Sequence, residues 1–144
     1  MRFLALAIVA LAACAPAAAS VNAEPPNPCT VVSLSAAAAV LKAAPAPSKP
    51  KTTTGGRTCT YTVKRMSLTV ETRSVATAAA FASDVQRLRA PVYPFEGITD
   101  AYSADSGKEL ALWKNGTEVI VNFRGLNPVV EAQSTLASAV FASL

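Results

Sequence analysis

The chain contains no histidine and only three cysteines, none spaced as C-x-x-C. Without an imidazole, Ser-His and Cys-His nucleophilic catalysis is excluded, and the commonest metal ligand is missing. No glycine-rich phosphate-binding pattern occurs either. Charged residues make up 15% of the chain and aromatic residues 6%. About half the residues are apolar, but many are alanine, so bulky core residues are scarcer than that fraction implies. No apolar stretch approaches the roughly 20 residues that a membrane-spanning helix requires. The unbroken run from Phe3 to Ala13 has eleven.

That run is instead the length of a signal-peptide apolar core, and Met1-Arg2 supplies the positive start in front of it. It ends in Leu11-Ala12-Ala13-Cys14, a bacterial lipobox pattern of small residues before a cysteine that accepts the lipid. A second pattern, Val21-Asn22-Ala23 before Glu24, would suit ordinary secretory cleavage and would discard Cys14. The lipid-anchored form is the expected one. The alternative is a soluble secreted or periplasmic protein cleaved near Ala23. Residues 1–23 then form the signal and tether, with the lipobox at 11–14, and residues 24–28 continue the tether. Residues 29–144 form one domain, long enough for a real core.

Net charge is +4, distributed unevenly. Nine Lys/Arg face two acidic residues between Lys42 and Arg89, whereas three face six between Ala90 and Leu144. Such a basic half would suit an anionic partner. An export signal argues against nucleic acid and leaves solvated faces as the plain reading.

With Cys14 assigned to the leader, Cys29 and Cys59 remain as an even pair in a compartment that permits disulfides. A metal site or reactive thiol lacks supporting residues, so the pair reads as a structural staple. Closing a loop of about 30 residues is worth about 3.5 kcal/mol on the chain-entropy model.

Periodicity supplies the rest. Ser35 caps an expected helix to about Ala44, stopped by Pro45, Pro47 and Pro50. Thr58 to Lys64 alternates, with Cys59, Tyr61 and Val63 on one face. Lys64 to Ser67 reads as a turn, and Leu68 to Thr72 as the returning strand. Ser74 caps a second helix to about Leu88, striped by Ala78, Phe81, Val85 and Leu88. Asp100 to Ala104 reads as a short strand, followed by a turn at Asp105-Ser106-Gly107. Asn115-Gly116 suits a type I′ turn and pairs Leu112 with Val119 and Leu110 with Val121. Asn127-Pro128 opens a last helix, with Val129, Ala132, Leu136, Val140 and Leu144 in register. The expected fold is α+β: an antiparallel sheet of four to five strands with helices packed on one face, in the order α-ββ-α-β(β)β-α. Hairpin plus helix occurs twice, as in an internal structural repeat.

Pro28-Cys29, the short alanine-rich helix, Cys59-Thr60-Tyr61 and Gly97-Ile98-Thr99-Asp100-Ala101-Tyr102 together resemble a framework found in GC-rich bacteria. It belongs to small secreted and lipoprotein envelope domains with a PC…CxY pattern and a G-L-G-D-x-A/Y segment. The resemblance covers roughly Asn27 to Leu144. It implies an envelope role and, through relatives that are extracellular sensor domains of membrane kinases, ligand sensing. Ala38 stands where many relatives carry a glutamate, and Thr99 where they carry the second glycine.

Candidate chemistry is sparse, and no residue calls for a cofactor or a metal. Ser48-Lys49-Pro50-Lys51 matches S-x-x-K but lies among prolines, where that motif needs a helix start. Glu96, Asp100 and Asp105 are close in sequence, yet their spacing fits no calcium loop. Trp113 and Ile120 point away from Leu110 and Leu112. With helices on one side only, they mark an exposed apolar patch, a candidate binding face. Tyr93 and Phe95 join it, as part of that face or as its cover. The expected function is a non-enzymatic envelope lipoprotein domain that meets a membrane through its anchor and binds an envelope ligand or protein. The alternatives are a small hydrolase or cell-wall enzyme using carboxylates of the Glu96–Asp105 loop, and a structural spacer domain.

Overall fold

A computed structural model describes residues 24–46, 48–87, 92–126 and 130–144. Cys14, the whole leader, Leu88, Asn127, Pro128 and Val129 lie outside the described residues.

Two helices come first, α1 (Pro28–Val31) and α2 (Leu34–Leu41). The α1 turn starts where Asn27 Oδ1 accepts the Cys29 N–H at 3.0 Å, with Pro28 in the first turn. There the missing proline N–H costs nothing. Ser33, rather than Ser35, caps α2 by accepting the Ala36 N–H at 3.2 Å. Lys42 then turns left-handed and ends the helix.

Strands β1 (Lys51–Thr53), β2 (Gly56–Val63) and β3 (Met66–Ser74) form a meander. Helix α3 (Ala78–Val85) follows, capped by Thr77 rather than Ser74. Ser74 is still in the sheet, opposite Thr117, so the helix cannot start before the chain has left β3. Strands β4 (Tyr93–Pro94) and β5 (Ala101–Ala104) come next, then a short 3-10 turn over Asp105–Gly107. Strands β6 (Glu109–Lys114) and β7 (Thr117–Arg124) lead to the last helix, α4 (Val130–Ser143).

The fold is α+β. All seven strands form one antiparallel sheet in the order β1-β2-β3-β7-β6-β5-β4. It is wider than four to five strands because β1 and β4 are short polar or exposed edges that carry no hydrophobic alternation. The hairpin around Asn115-Gly116 has the expected register, Lys114 with Thr117, Leu112 with Val119 and Leu110 with Val121. Asn115 (φ 51°) and Gly116 (φ 82°) supply the two positive dihedrals of a type I′ turn. In the β2–β3 hairpin, Lys64 takes a positive φ of 53° without a glycine.

The sheet separates two apolar clusters. On one face Tyr61, Leu68, Val70, Leu110, Leu112, Val119 and Val121 pack beneath α1, α2 and α4, which add Val31, Leu41, Leu136 and Val140. On the other, Phe81 and Val85 of α3 pack on Ala111, with Val75, Tyr102 and Trp113 around them. Helices therefore cover both faces, not one. The two hairpin-plus-helix units keep their order, but their helices α3 and α4 lie on opposite sides of the sheet. Ala111 is what admits α3: a small residue between Leu110 and Leu112 leaves room on the second face for the Phe81 ring.

The Cys29–Cys59 disulfide ties α1 to β2 across a Cα separation of 5.4 Å. Two residues on, the buried Tyr61 hydroxyl donates to Val32 O and lies 3.2 Å from Cys29 O. The C-x-Y spacing thus puts a covalent bond and a hydrogen bond on the same face of β2, and both grip α1. Burial pushes the Tyr61 phenol above its ordinary pKa. The chain before α1 is also seated on the sheet. Buried Thr72 donates to Pro26 O at 2.7 Å, and Arg57 Nη1 lies 3.2 Å from Glu24 Oε1. Residues 24–28, expected as tether, accordingly belong to the folded unit. The far end is pinned by Lys114, whose Nζ donates to Phe141 O at 2.6 Å and sits 4.5 Å from the centre of the Phe141 ring. A cation there complements the negative end of α4.

Candidate functional site

The four residues expected to share one binding face are divided between the two sides of the sheet. Trp113 and Ile120 lie on the α3 side. Ile120 is buried, and Trp113 packs against the Phe81 cluster while its indole donates to Val75 O at 2.7 Å. The patch anticipated there is covered chiefly by α3, with Val92 packed beside it, and not through Tyr93 or Phe95. Tyr93 and Phe95 lie on the other side. Tyr93 is opposite Ser103 in the β4–β5 pair, and the ring of Phe95 packs at the margin of the larger core.

Tyr93 and Phe95 form one wall of a cleft of about 520 Å³, open to solvent on one side. The cleft lies at the sheet edge, where β4 is only two residues long, and is lined by β4, the 3-10 turn and α4. Pro94 continues the apolar wall, and Glu96 is the one charged residue among the described lining. Ser103, Ser106, Gly107, Gln133 and Ser134 complete it.

Gln133 organises the floor. It is 2% exposed although it lies on α4 beside the apolar stripe. Its Nε2 donates to Gly107 O, and its Oε1 accepts the Ser103 hydroxyl proton at 3.3 Å. A buried amide with both ends engaged fixes its neighbours at small cost. Gly107 beside it has φ 84°, a dihedral that favours glycine, and a Cβ there would come within 3.4 Å of Gln133 Nε2. The expected helical stripe left Gln133 out, because a polar residue one position from Ala132 reads as solvent-facing. The signal available was its place between Ala132 and Leu136, on the flank of the buried face.

A second polar cluster lies beside Trp113 on the α3 side. Glu118, opposite Trp113 on β7, is 2% exposed, and its Oε2 accepts no hydrogen bond among the described residues. The nearest cation, Arg73 Nη1, is 3.8 Å away. Arg73 is committed elsewhere, its Nε donating to Glu71 Oε1 at 2.8 Å. Burial pushes the Glu118 carboxyl up to about 6, with Arg73 opposing and Asp84, Glu71 and Glu109 adding to the rise. Arg73 itself is held above its ordinary value, first by its bond to Glu71.

The other sequence candidates do not assemble. Of Glu96, Asp100 and Asp105, Glu96 alone is among the described cleft residues. Asp100 occupies a left-handed turn whose carbonyl accepts the Trp113 N–H at 2.9 Å. The Asp105 side chain is outside the described set. Ser48 of the S-x-x-K match lies in a loop, where its Oγ accepts the Thr60 N–H at 3.3 Å. No group of three or more His, Cys, Asp or Glu among the described residues could hold a metal ion. No described helix is long and apolar enough to cross a membrane, which says nothing of a β-barrel.

Comparison with family models, curated proteins and solved structures finds no match. Function therefore rests on the geometry of this chain.

Proposed function

We propose that the chain is an exported, non-enzymatic ligand-binding domain, held at the bacterial envelope by a lipid on Cys14. The observation that carries the binding part is the cleft: a half-open volume of about 520 Å³ with aromatic walls and a floor organised by a buried amide. Pockets of about 300–1,000 Å³ with apolar walls and a few convergent polar groups are the usual form of small-molecule sites. Binding is favoured over two-carboxylate hydrolysis because Glu96 has no second carboxylate beside it among the described lining residues.

The anchor rests on the lipobox at Leu11-Ala12-Ala13-Cys14 and on the Cys29–Cys59 disulfide, a bond of oxidising compartments. The likeness to the PC…CxY envelope domains supports the same placement, since Cys59 and Tyr61 both hold α1. Residues 15–23 separate the anchor from the folded unit, a reach of at most about 32 Å at full extension. The cleft would then work close to the membrane surface.

Two measurements test this reading. Intact mass of the mature protein should show a diacylglyceryl-modified Cys14 at the N-terminus. A chain beginning at Glu24 removes the anchor. A fluorine-labelled fragment screen of the folded domain should give hits that shift the amide resonances of Ser103, Ser106 and Gln133. Hits confined to other surfaces refute the cleft.

A further inference from the structure

We infer that the cleft between β4 and α4 takes a short neutral or amino-substituted oligosaccharide. This deepens the binding reading above and rests on it.

The inference follows from the kinds of group the cleft presents together. Tyr93 is 57% exposed, one of two large apolar side chains left so open among the described residues. It stands on the rim, beside Pro94 and Phe95. An exposed aromatic ring on an antiparallel edge strand offers a flat apolar surface. Below it lie three hydroxyls, from Ser103, Ser106 and Ser134, and the Gln133 amide. Ser103 has given its proton to Gln133, so it can only accept from a ligand; the Gln133 carbonyl keeps one lone pair, and its Nε2 one proton.

An aliphatic or purely aromatic ligand would fill the wall but would strip water from these polar atoms without replacing their hydrogen bonds, which is costly. A phosphate or carboxylate ligand would find no Lys or Arg among the described lining residues and would face Glu96. A pyranose satisfies both halves. Its axial C–H face is apolar and stacks on an aromatic ring, and its equatorial hydroxyls both donate and accept. A volume of about 520 Å³ holds two or three such rings. Glu96, the sole charge among the described lining residues, favours a sugar with an amino group over one with an acid group, by simple Coulomb attraction.

The test uses the folded domain with its disulfide intact and three trisaccharide probes followed by amide chemical shifts. The probes are triacetylchitotriose, the deacetylated cationic chitotriose, and trigalacturonate as the anionic counterpart. Both amino-sugar trimers should shift Ser103, Ser106 and Gln133, the deacetylated one more tightly at low salt, and trigalacturonate should not. Tyr93→Ala, at an exposed edge position, should weaken binding roughly tenfold. Glu96→Gln should erase the preference for the deacetylated probe while retaining the neutral one. The inference is overturned if none of the sugars shifts these residues, if trigalacturonate binds best, or if Tyr93→Ala binds as the parent does. Fluorine fragments added to the same sample separate the two levels. Fragments that shift the cleft while sugars fail sink the sugar class and leave the binding site standing. Fragments that also miss the cleft sink both.

Discussion

Glu118 offers the sharpest quantitative prediction. Its carboxyl is almost wholly buried, one oxygen lacks a hydrogen-bond donor, and the closest guanidinium is shared with Glu71. Its pKa is raised from 4.5 to about 6 in the folded protein. Because the folded value exceeds the unfolded one, the folded state binds the proton more tightly. Stability is therefore gained as pH falls from about 7 through 6 towards 4.5, and the full penalty applies above the folded value. A rise of about 1.5 units corresponds to about 2 kcal/mol. That is a sizeable share of the roughly 5–15 kcal/mol of an ordinary domain.

The perturbation is Glu118→Gln, which keeps the shape and removes the charge. The new amide must still place an N–H near the unpaired Oε2 position, so the expected net gain at neutral pH is about 1–2 kcal/mol rather than the full amount. Urea unfolding can be followed through Trp113, the only tryptophan in the chain. It lies opposite residue 118 and reports on that region directly. The parent should become more stable by about 1 kcal/mol between about pH 7.5 and pH 5, with the rest of the gain reached only below the unfolded value. Glu118→Gln should start higher and lose most of that slope, with an unchanged m-value. Parallel pH profiles for the two proteins would refute the argument, since the titrating group would then lie elsewhere.

Replacing Cys29 and Cys59 by serine should cost about 3 kcal/mol in urea unfolding. Hydrogen exchange should then quicken in α1 and α2 well before β6 and β7; equal acceleration throughout would contradict the staple. Tyr61→Phe removes the hydroxyl donor facing the Val32 and Cys29 carbonyls and should lose about 1–2 kcal/mol, measured the same way. Gly116→Ala places a Cβ at φ 82° and should cost about 1 kcal/mol in thermal unfolding, because a type I′ turn needs that dihedral. Lys114→Met removes the cation over Phe141 and the donor to its carbonyl, and should fray the end of α4 with a loss of about 1 kcal/mol. Proton exchange at Val140 and Phe141 reads that directly.

The sequence was most informative where two independent signals agreed. At Asn115-Gly116 the turn chemistry and the alternation of Leu110, Leu112, Val119 and Val121 gave the same register, and it is the one observed. Cys29 and Cys59 were legible by elimination. Helix starts were less so, because Ser33, Ser35, Ser74 and Thr77 all have capping side chains. For α3, which one serves depends on where β3 stops pairing, a tertiary fact. The side of the sheet taken by α3 was hidden for a related reason. Periodicity says that Phe81 and Val85 share a face, not which face of the sheet will receive them. The strands β1 and β4 carry no hydrophobic alternation, since both are edges. Tyr93, Phe95 and Glu96 of the cleft were legible as candidates, but Gln133 and Ser103 were not, because their polar groups are satisfied by each other and by Gly107. That satisfaction is visible in space and not along the chain.

The strand order carries a consequence for how the molecule is made. The middle of the sheet is the pairing of β3 with β7, Val70 against Val121, and everything from α3 to β6 intervenes between them in the chain. Ribosome or translocon delivers the N-terminal meander first, with Leu68 and Val70 exposed along an open edge until the last strand arrives. Such long-range closure is slow compared with local hairpins. The early half can meanwhile close its disulfide, since Cys29 and Cys59 both precede β3. It cannot complete its sheet. A chain cut before Thr117 should expose the edge of β3 and aggregate, whereas loss of the exposed β1 strand should leave the central pairing intact. Folding is thus committed only when nearly the whole polypeptide has emerged. That timing suits a protein kept unfolded for passage across a membrane.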